Sequence, residues 1–265
     1  MNRDSYQNKT AIVTGAASGI GRALALRLSE RGATVYAADR DTERLGELAG
    51  SGGSGRIQPV ALDVTERDAV IALVDRAVTE CGSLDLMFNN AGIVVGGDFA
   101  DMTPDAWQRI VDVNFWGVVH GTEAAYAQMR RQSRGHIVNT ASSAGVMPVV
   151  RSAAYAATKH AVVGLSTSLR AEAADHGINV SVVIPGLVDT NIFSAATNLA
   201  EYDYSSAVER VPMKKVTPQQ AADAILRGVA SNDEFIVFPL LNRLVTTLYR
   251  AMPKLMGPIV TRAGM

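Results

Sequence analysis

Cysteine is almost missing from this chain. Among 265 residues there is one, Cys81, so no intramolecular disulfide can form. That fits a reducing compartment, and the expected location is cytoplasmic. Cys81 lies late in an apolar-periodic helix directly before Gly82 and reads as a small buried or half-buried filler, not a reactive thiol. No stretch of 18 or more apolar residues occurs, so no bilayer-spanning helix is expected. Met1 to Lys9 is polar and lacks the basic, apolar and small-residue order of a signal peptide. Charge of one sign is not in excess either. Lys and Arg number 25 against 26 Asp and Glu, a formal net charge of −1, which argues against a broad nucleic-acid-binding surface. No solenoid repeat is visible and no metal site is expected. Acidic residues are absent after Glu234, although Arg243, Arg250, Lys254 and Arg262 follow.

What is present is a regular alternation of short apolar runs with longer helical patterns. The runs Thr10–Thr14, Thr34–Asp39, Ile57–Leu62, Leu84–Phe88, His136–Thr140, Ile178–Ile184 and Glu234–Phe238 read as seven strands. Between them helices are expected over Gly19–Arg31, Thr42–Leu48, Glu66–Cys81, Pro104 to about Arg131, Ser152–Ala174 and Pro218–Ala230. Thr103 before Pro104 gives an N-cap followed by Pro at the first helical position. Apolar strands separated by helices imply a mainly parallel sheet covered on both faces. The expected fold class is therefore α/β: a Rossmann-like, doubly wound parallel sheet of about seven strands in a three-layer α/β/α single domain. The Gly-rich stretch Gly50–Gly55 reads as a flexible surface loop within it, since the alternation continues across it.

The first strand runs into Thr14-Gly15-Ala16-Ala17-Ser18-Gly19-Ile20-Gly21. Glycines at 15, 19 and 21 allow a tight turn and close approach of a pyrophosphate. Ser18, Ile20 and the helix start present N–H groups and a positive dipole end to it. No Gly-Lys-Ser/Thr ending follows, so a nucleoside-triphosphate loop is disfavoured. Asp39 closes the second strand 18 residues beyond Gly21. Its carboxylate suits the two adenosine ribose hydroxyls and would repel a 2′-phosphate. Arg40 could partly receive that phosphate, so NAD is the expected cofactor and NADP the alternative. Asp63 and Val64, ending the third strand, read equally well as contacts to the adenine edge and face or as surface residues.

Asn89-Asn90-Ala91-Gly92 follows the fourth strand and leaves room for a flat ligand. Ser142 and Ser143 follow the fifth. Tyr155 and Lys159 are four apart and share one helix face. A phenol with a pKa of about 10 is a poor base near neutrality, but a nearby ammonium and a positive nicotinamide ring favour its anion. Ser142 could then hydrogen-bond the substrate oxygen.

Together these motifs resemble the classical short-chain dehydrogenases/reductases from about Lys9 to Phe238. The resemblance implies that Asn114, Ser142, Tyr155 and Lys159 form a catalytic tetrad. In it Asn114 holds a kink in its helix while its carbonyl anchors a proton-relaying water. It implies that Lys159 also bonds the nicotinamide ribose and that Pro185, Gly186, Val188 and Thr190 line the nicotinamide. It implies too that an acidic residue at 39 goes with NAD, and that the chain assembles as a homotetramer or homodimer. The expected activity is hydride transfer between NAD(H) and a secondary alcohol or ketone, with an NADP-dependent carbonyl reductase as the nearer alternative. A non-catalytic cofactor-sensing or scaffolding protein is the remote one.

The apolar loop Ala144–Val150, with Leu187, Ile192, Phe193, Tyr202, Tyr204 and Met213 in a covering region of about 187–216, points to a hydrophobic small-molecule substrate. In the extension 240–265, Leu241, Leu244, Leu248, Met252 and Leu255 fall on one helical face. Arg243, Arg250, Lys254, Asn242 and Thr246 lie largely opposite, and Pro253 divides the segment in two. The apolar face is expected to pack on the chain's own substrate loop or on a neighbouring subunit. The other reading is peripheral contact with an anionic membrane surface.

Overall fold

Alternation along the strands dictates the layering, and a computed structural model describing residues 6–51, 53–200, 202–211 and 213–262 shows it directly. Ala11, Val13, Val35, Ala37, Phe88 and Val138 pack to one side of the sheet with helices α1 (Gly19–Glu30) and α8 (Pro218–Ala230). Their neighbours Ile12, Tyr36, Ala38, Met87 and Ile137 pack to the other side, against α3 (Arg67–Cys81) and α5 (Gly117–Gln132). Side chains alternate with period two along a strand, so a sheet buried on both faces must read as a continuous apolar run.

The strands are β1 (Thr10–Thr14), β2 (Thr34–Asp39), β3 (Arg56–Ala61), β4 (Leu86–Asn89), β6 (Gly135–Thr140), β7 (Ile178–Pro185) and β9 (Phe235–Phe238). They form one seven-stranded sheet in the order β3-β2-β1-β4-β6-β7-β9, with every pair parallel. Two short helices, α2 (Thr42–Gly46) and α4 (Pro104–Val111), and the long α6 (Ala153–Ala174) complete the core layers. Thr103 caps α4 by accepting from the Ala106 N–H at 3.2 Å.

The expected single helix from Pro104 to about Arg131 is interrupted. Asp112–Trp116 forms a π-helical turn between α4 and α5, with Asn114 fully buried at its centre. A second, two-stranded parallel sheet pairs β5 (Val95–Gly96) with β8 (Thr197–Asn198). It ties the segment after β4 to the segment after β7, which also carries α7 (Tyr204–Glu209). Cys81 departs from expectation. The buried stripe of α3, Val70, Leu73, Val74 and Ala77, stops one turn before it, and Cys81 is exposed. The Gly-rich loop is partly fastened: Gly53 N–H donates to Ser29 Oγ at 3.2 Å and Gly55 N–H to Ser29 O at 2.8 Å.

His136 is a titratable group buried within this sheet. Its Nε2 lies 2.8 Å from Ser181 Oγ, whose own proton goes to Asp233 O. The ring is therefore the neutral Nε2–H donor. Burial, with a smaller effect of Arg170, lowers its pKa from 6.5 to about 4. Between those values the unfolded chain binds a proton that the folded chain refuses. Stability falls on acidification there by about 1.4 kcal/mol per pH unit, about 3 kcal/mol in all. Urea midpoints taken from pH 7 down to pH 4 should show this slope, and His136→Gln, which keeps an N–H donor, should flatten it. An unchanged slope in the variant would place the acid sensitivity elsewhere.

Candidate active site

The strand order reverses between β1 and β4. From β1 the chain winds outward through β2 and β3, and from β4 outward through β6, β7 and β9. The helical connections diverge there, leaving a crevice at the carboxyl ends of the strands. A cleft of about 380 Å³ occupies it. Thr14 stitches the two strand ends together. Its hydroxyl accepts from the N–H groups of Asn90 and Ala91 at 3.0 and 3.1 Å, and Asn90 Nδ2 donates to Thr14 O at 3.1 Å.

The Gly-rich turn forms one wall. Gly15, Ser18, Gly19 and Ile20 line the cleft. Gly15 and Gly19 have φ of +68° and +53°, a conformation that costs glycine little. Gly19 also admits a close neighbour, since a Cβ there would lie 2.9 Å from Thr190 Cγ2. Gly21 does not line the cleft. It lies behind the turn, where a Cβ would meet Gly15 O at 2.1 Å, so its smallness seats α1 against the turn. At the far end Asp39 is held by two backbone donors, Ala17 N–H at 3.0 Å and Asp41 N–H at 3.1 Å. Arg40 and Asp63 line the same end, and Val64 is buried beside them. One Asp63 oxygen is already used by the Thr65 N–H and hydroxyl, at 2.9 and 2.8 Å. Arg44, on α2, joins them and was not legible from the motif pattern.

The inner end gathers Asn90, Ala91, Gly92, Ser142, Tyr155, Lys159, Pro185, Gly186, Val188 and Thr190. Ser142 ends β6's loop and accepts from Ala144 N–H at 3.2 Å. Tyr155 and Lys159 stand on one face of α6, with Lys159 Nζ 5.7 Å from the Tyr155 ring centroid. Lys159 Nζ donates to Thr140 O at 2.9 Å. Asn114 lies outside the cleft wall. Its Oδ1 accepts from Ile93 N–H at 2.8 Å, and its Nδ2 donates to Ile93 O at 2.9 Å and Thr158 Oγ1 at 3.3 Å. The side chain thus fastens the π turn both to the loop after β4 and to α6, one residue before Lys159.

Burial dominates the titration of this pair. It pushes the Tyr155 phenol above its ordinary value; the Tyr204 phenol adds to the rise and Ser142 opposes it. Burial lowers Lys159 to about 8. Lys159 is not among the causes acting on the phenol in the protein alone, so the lowering expected from the four-residue spacing is not found there.

The outer wall is apolar. Met147, Leu187, Ile192, Phe193 and Met213 line it as the sequence suggests, and so does Tyr204. Tyr204 is stacked on Phe193 at 6.1 Å and accepts from Ser152 Oγ at 3.2 Å. Tyr202 does not reach the cleft. It stands edge-on behind Tyr204 with the Arg151 guanidinium over its ring. Val208 and Val94 also contribute. Val208 could have been found from its position four residues after Tyr204. Among the described residues no group of three His, Cys, Asp or Glu side chains is arranged to hold a metal ion.

Comparison with known proteins agrees with this fold. The short chain dehydrogenase family profile matches residues 9–200. The protein SadH of Mycobacterium tuberculosis is 38% identical over 255 residues, covering 94% of this chain and 92% of its own. A short-chain dehydrogenase/reductase from Burkholderia phymatum, solved with NAD, superposes with a TM-score of 0.85 at 28% identity, over 94% of this chain and 95% of that one. A short-chain dehydrogenase from Sphingobium yanoikuyae, solved with NADPH, gives 0.78 at 28% identity, over 94% of each.

Proposed function

The chain belongs to the short-chain dehydrogenase family, and on that premise we propose that it transfers a hydride between NAD(H) and a hydrophobic secondary alcohol or its ketone. One observation carries the reading. The Ser142, Tyr155 and Lys159 side chains share the inner end of the cleft whose outer end is the Gly-rich turn and Asp39. The residues fit a dinucleotide. The first turn of α1 offers N–H groups with no partner inside the helix, and at Gly15 and Gly19 no side chain stands in the way. The Asp39 carboxylate is fixed beside that turn by the Ala17 N–H, where it can accept from ribose hydroxyls.

Both nicotinamide dinucleotides occur among the similar structures, so the preference rests on charge. Asp39 faces the position where a 2′-phosphate would lie, in a site where water screens little. NAD is therefore the cofactor assigned. Arg40 and Arg44, lining the same end, favour a second reading as an NADPH-dependent reductase.

When bound, the oxidised nicotinamide supplies a hydride acceptor and a positive charge beside Tyr155. The protein does the rest. Ser142 holds the substrate oxygen, and Tyr155 takes its proton in oxidation or returns it in reduction. Lys159 keeps positive charge under the phenol and bonds the ribose. Asn114 positions Lys159 through Thr158 and Ile93, and its backbone carbonyl holds the relaying water. Pro185, Gly186, Val188 and Thr190 bound the nicotinamide end, and residues 187–216 cover the substrate. A homodimer or homotetramer accompanies this reading, supported by Phe99 and Trp116, large apolar side chains exposed away from the cleft.

The test is NADH formation with a panel of secondary alcohols. Alicyclic, aromatic and steroid-like members should be oxidised with lower KM than small polar, phosphorylated or coenzyme A-linked ones. Turnover of the polar members alone would remove the substrate assignment, and NADH formation from none would remove the activity.

A further inference from the structure

The last two helices expose the side of themselves that was expected to be covered. In α9 (Leu240–Ala251) the inward residues are polar. Asn242, fully buried, donates from Nδ2 to Ile184 O at 3.1 Å and Phe238 O at 3.2 Å, and Thr246 Oγ1 donates to Asn242 O at 2.7 Å. One Asn242 amide thus bonds two main-chain carbonyls at the ends of neighbouring strands, Phe238 O accepting from Gly186 N–H as well. That anchor fixes the rotation of the helix. The apolar residues consequently face away from the fold: Leu240 is 81% exposed, Leu244 55%, Leu255 62% and Ile259 53%. The latter two belong to α10 (Pro253–Arg262), which packs on α9. Leu241 and Met252 are also exposed. Among the described residues only Phe99, Trp116 and Val150 are comparable elsewhere. Single exposed apolar residues are ordinary, but six together on one helix pair form a patch that needs an occupant.

Charge selects the occupant. Arg243, Arg250, Lys254 and Arg262 are exposed on the same pair of helices, and no Asp or Glu follows Glu234. A two-fold interface between copies sets one patch against itself. Every charged side chain of α9 and α10 is a cation, so an interface confined to these two helices would bring only like charges together. An anionic surface meets no such obstacle. Neither helix is long and apolar enough to cross a membrane.

We propose that α9 and α10 form a reversible docking surface for an anionic lipid bilayer, lying flat among the headgroups with the leucines inserted and the cations at phosphate level. The surface adjoins the site. α9 starts at the carboxyl end of β9, Gly186 N–H donates to Phe238 O at 2.8 Å, and a Cβ on Gly186 would lie 3.1 Å from Asn242. Docking therefore sets the carboxyl ends of the strands, where the cleft opens, next to the lipid phase.

Flotation of the full chain with phosphatidylcholine vesicles, with and without phosphatidylserine, tests this. The protein should float with the phosphatidylserine vesicles and stay behind with pure phosphatidylcholine. Neutralising Arg243, Arg250 and Lys254 to Gln should lower partitioning about a hundredfold, at about fivefold per charge. A separate Leu244→Ser/Leu255→Ser protein should also stay behind. Both variants should keep the parent's elution volume; the thermal midpoint should hold in the Ser variant and fall slightly in the Gln variant, because the Arg250 guanidinium lies over the Phe235 ring. No flotation of the parent, flotation undiminished by the Gln changes, or a change of oligomer mass in the Ser variant would each overturn the proposal. The last result would make the face a contact between copies. These readouts need no turnover and stand apart from the activity assignment.

Discussion

Tyr155→Phe should turn over its alcohol about a thousandfold more slowly than the parent, with NADH binding unchanged within about twofold; positioned acid–base groups contribute roughly 10²–10⁴. The ring stays, so the packing against Tyr204 and above Lys159 is kept, and one hydroxyl is lost. Burial raises that hydroxyl's pKa, which fixes the sign of the pH dependence. Oxidation needs the phenolate, so kcat should climb with pH from neutrality upward. Reduction needs the phenol and should not share that climb. The alkaline rise in oxidation should vanish in Tyr155→Phe. Stopped-flow turnover against pH, with NADH fluorescence titration alongside, measures both. A variant that kept a tenth of parental kcat, or lost NADH binding in step with turnover, would remove the proton-transfer role.

Asp39→Ala should invert the cofactor preference. The carboxylate's hydrogen bonds to a ribose diol are charge-assisted and worth about 1.5–3 kcal/mol, so NADH affinity should fall about 10- to 100-fold. NADPH should gain for two reasons. The repelling charge is gone, and the Ala17 and Asp41 N–H groups that Asp39 now occupies become donors facing a phosphate, flanked by Arg40 and Arg44. The ratio of kcat/KM for the two cofactors should move by about two to three orders of magnitude toward NADPH. A parent already preferring NADPH, or a variant with an unmoved ratio, would place the discrimination on the arginines.

Most of the seven strands were legible because they are buried on both faces and largely apolar; the edge strand β3, with Arg56, Pro59 and Ala61 exposed, was legible from the alternation of strands with helices. Part of the site was legible for a related reason, since the Gly-rich turn, Asp39, Asn90 and Ser142 follow or close strands; Tyr155 and Lys159, on α6, were legible through their four-residue spacing. What escaped was governed by contacts distant in sequence. The strands at Val95–Gly96 and Thr197–Asn198 are two residues long and exist only because each pairs with the other. The π turn leaves no periodic trace, since one extra residue in a helix changes no composition; only the family resemblance pointed to a kink at Asn114. The orientation of α9 was only partly legible. Periodicity finds the apolar face but does not tell that it turns away from the chain's own fold, which follows from Asn242 binding two carbonyls at the ends of β7 and β9. Gly21 looked like a third phosphate-side glycine because spacing does not tell the front of a turn from its back.

Gly96 carries a consequence for evolution of the pocket. A Cβ there would lie 2.1 Å from Cδ2 of Tyr204, whose other side looks into the cleft toward Tyr155. The tyrosine cannot retreat past the peptide plane behind it, and even one added methyl group would drive its ring forward. Pocket bore is thus gauged from the rear, by a residue that no substrate touches. A lineage could tighten the bore by a single codon change at 96 while leaving proton transfer and dinucleotide recognition as they were, and substitutions on the visible wall would have to work against that stop.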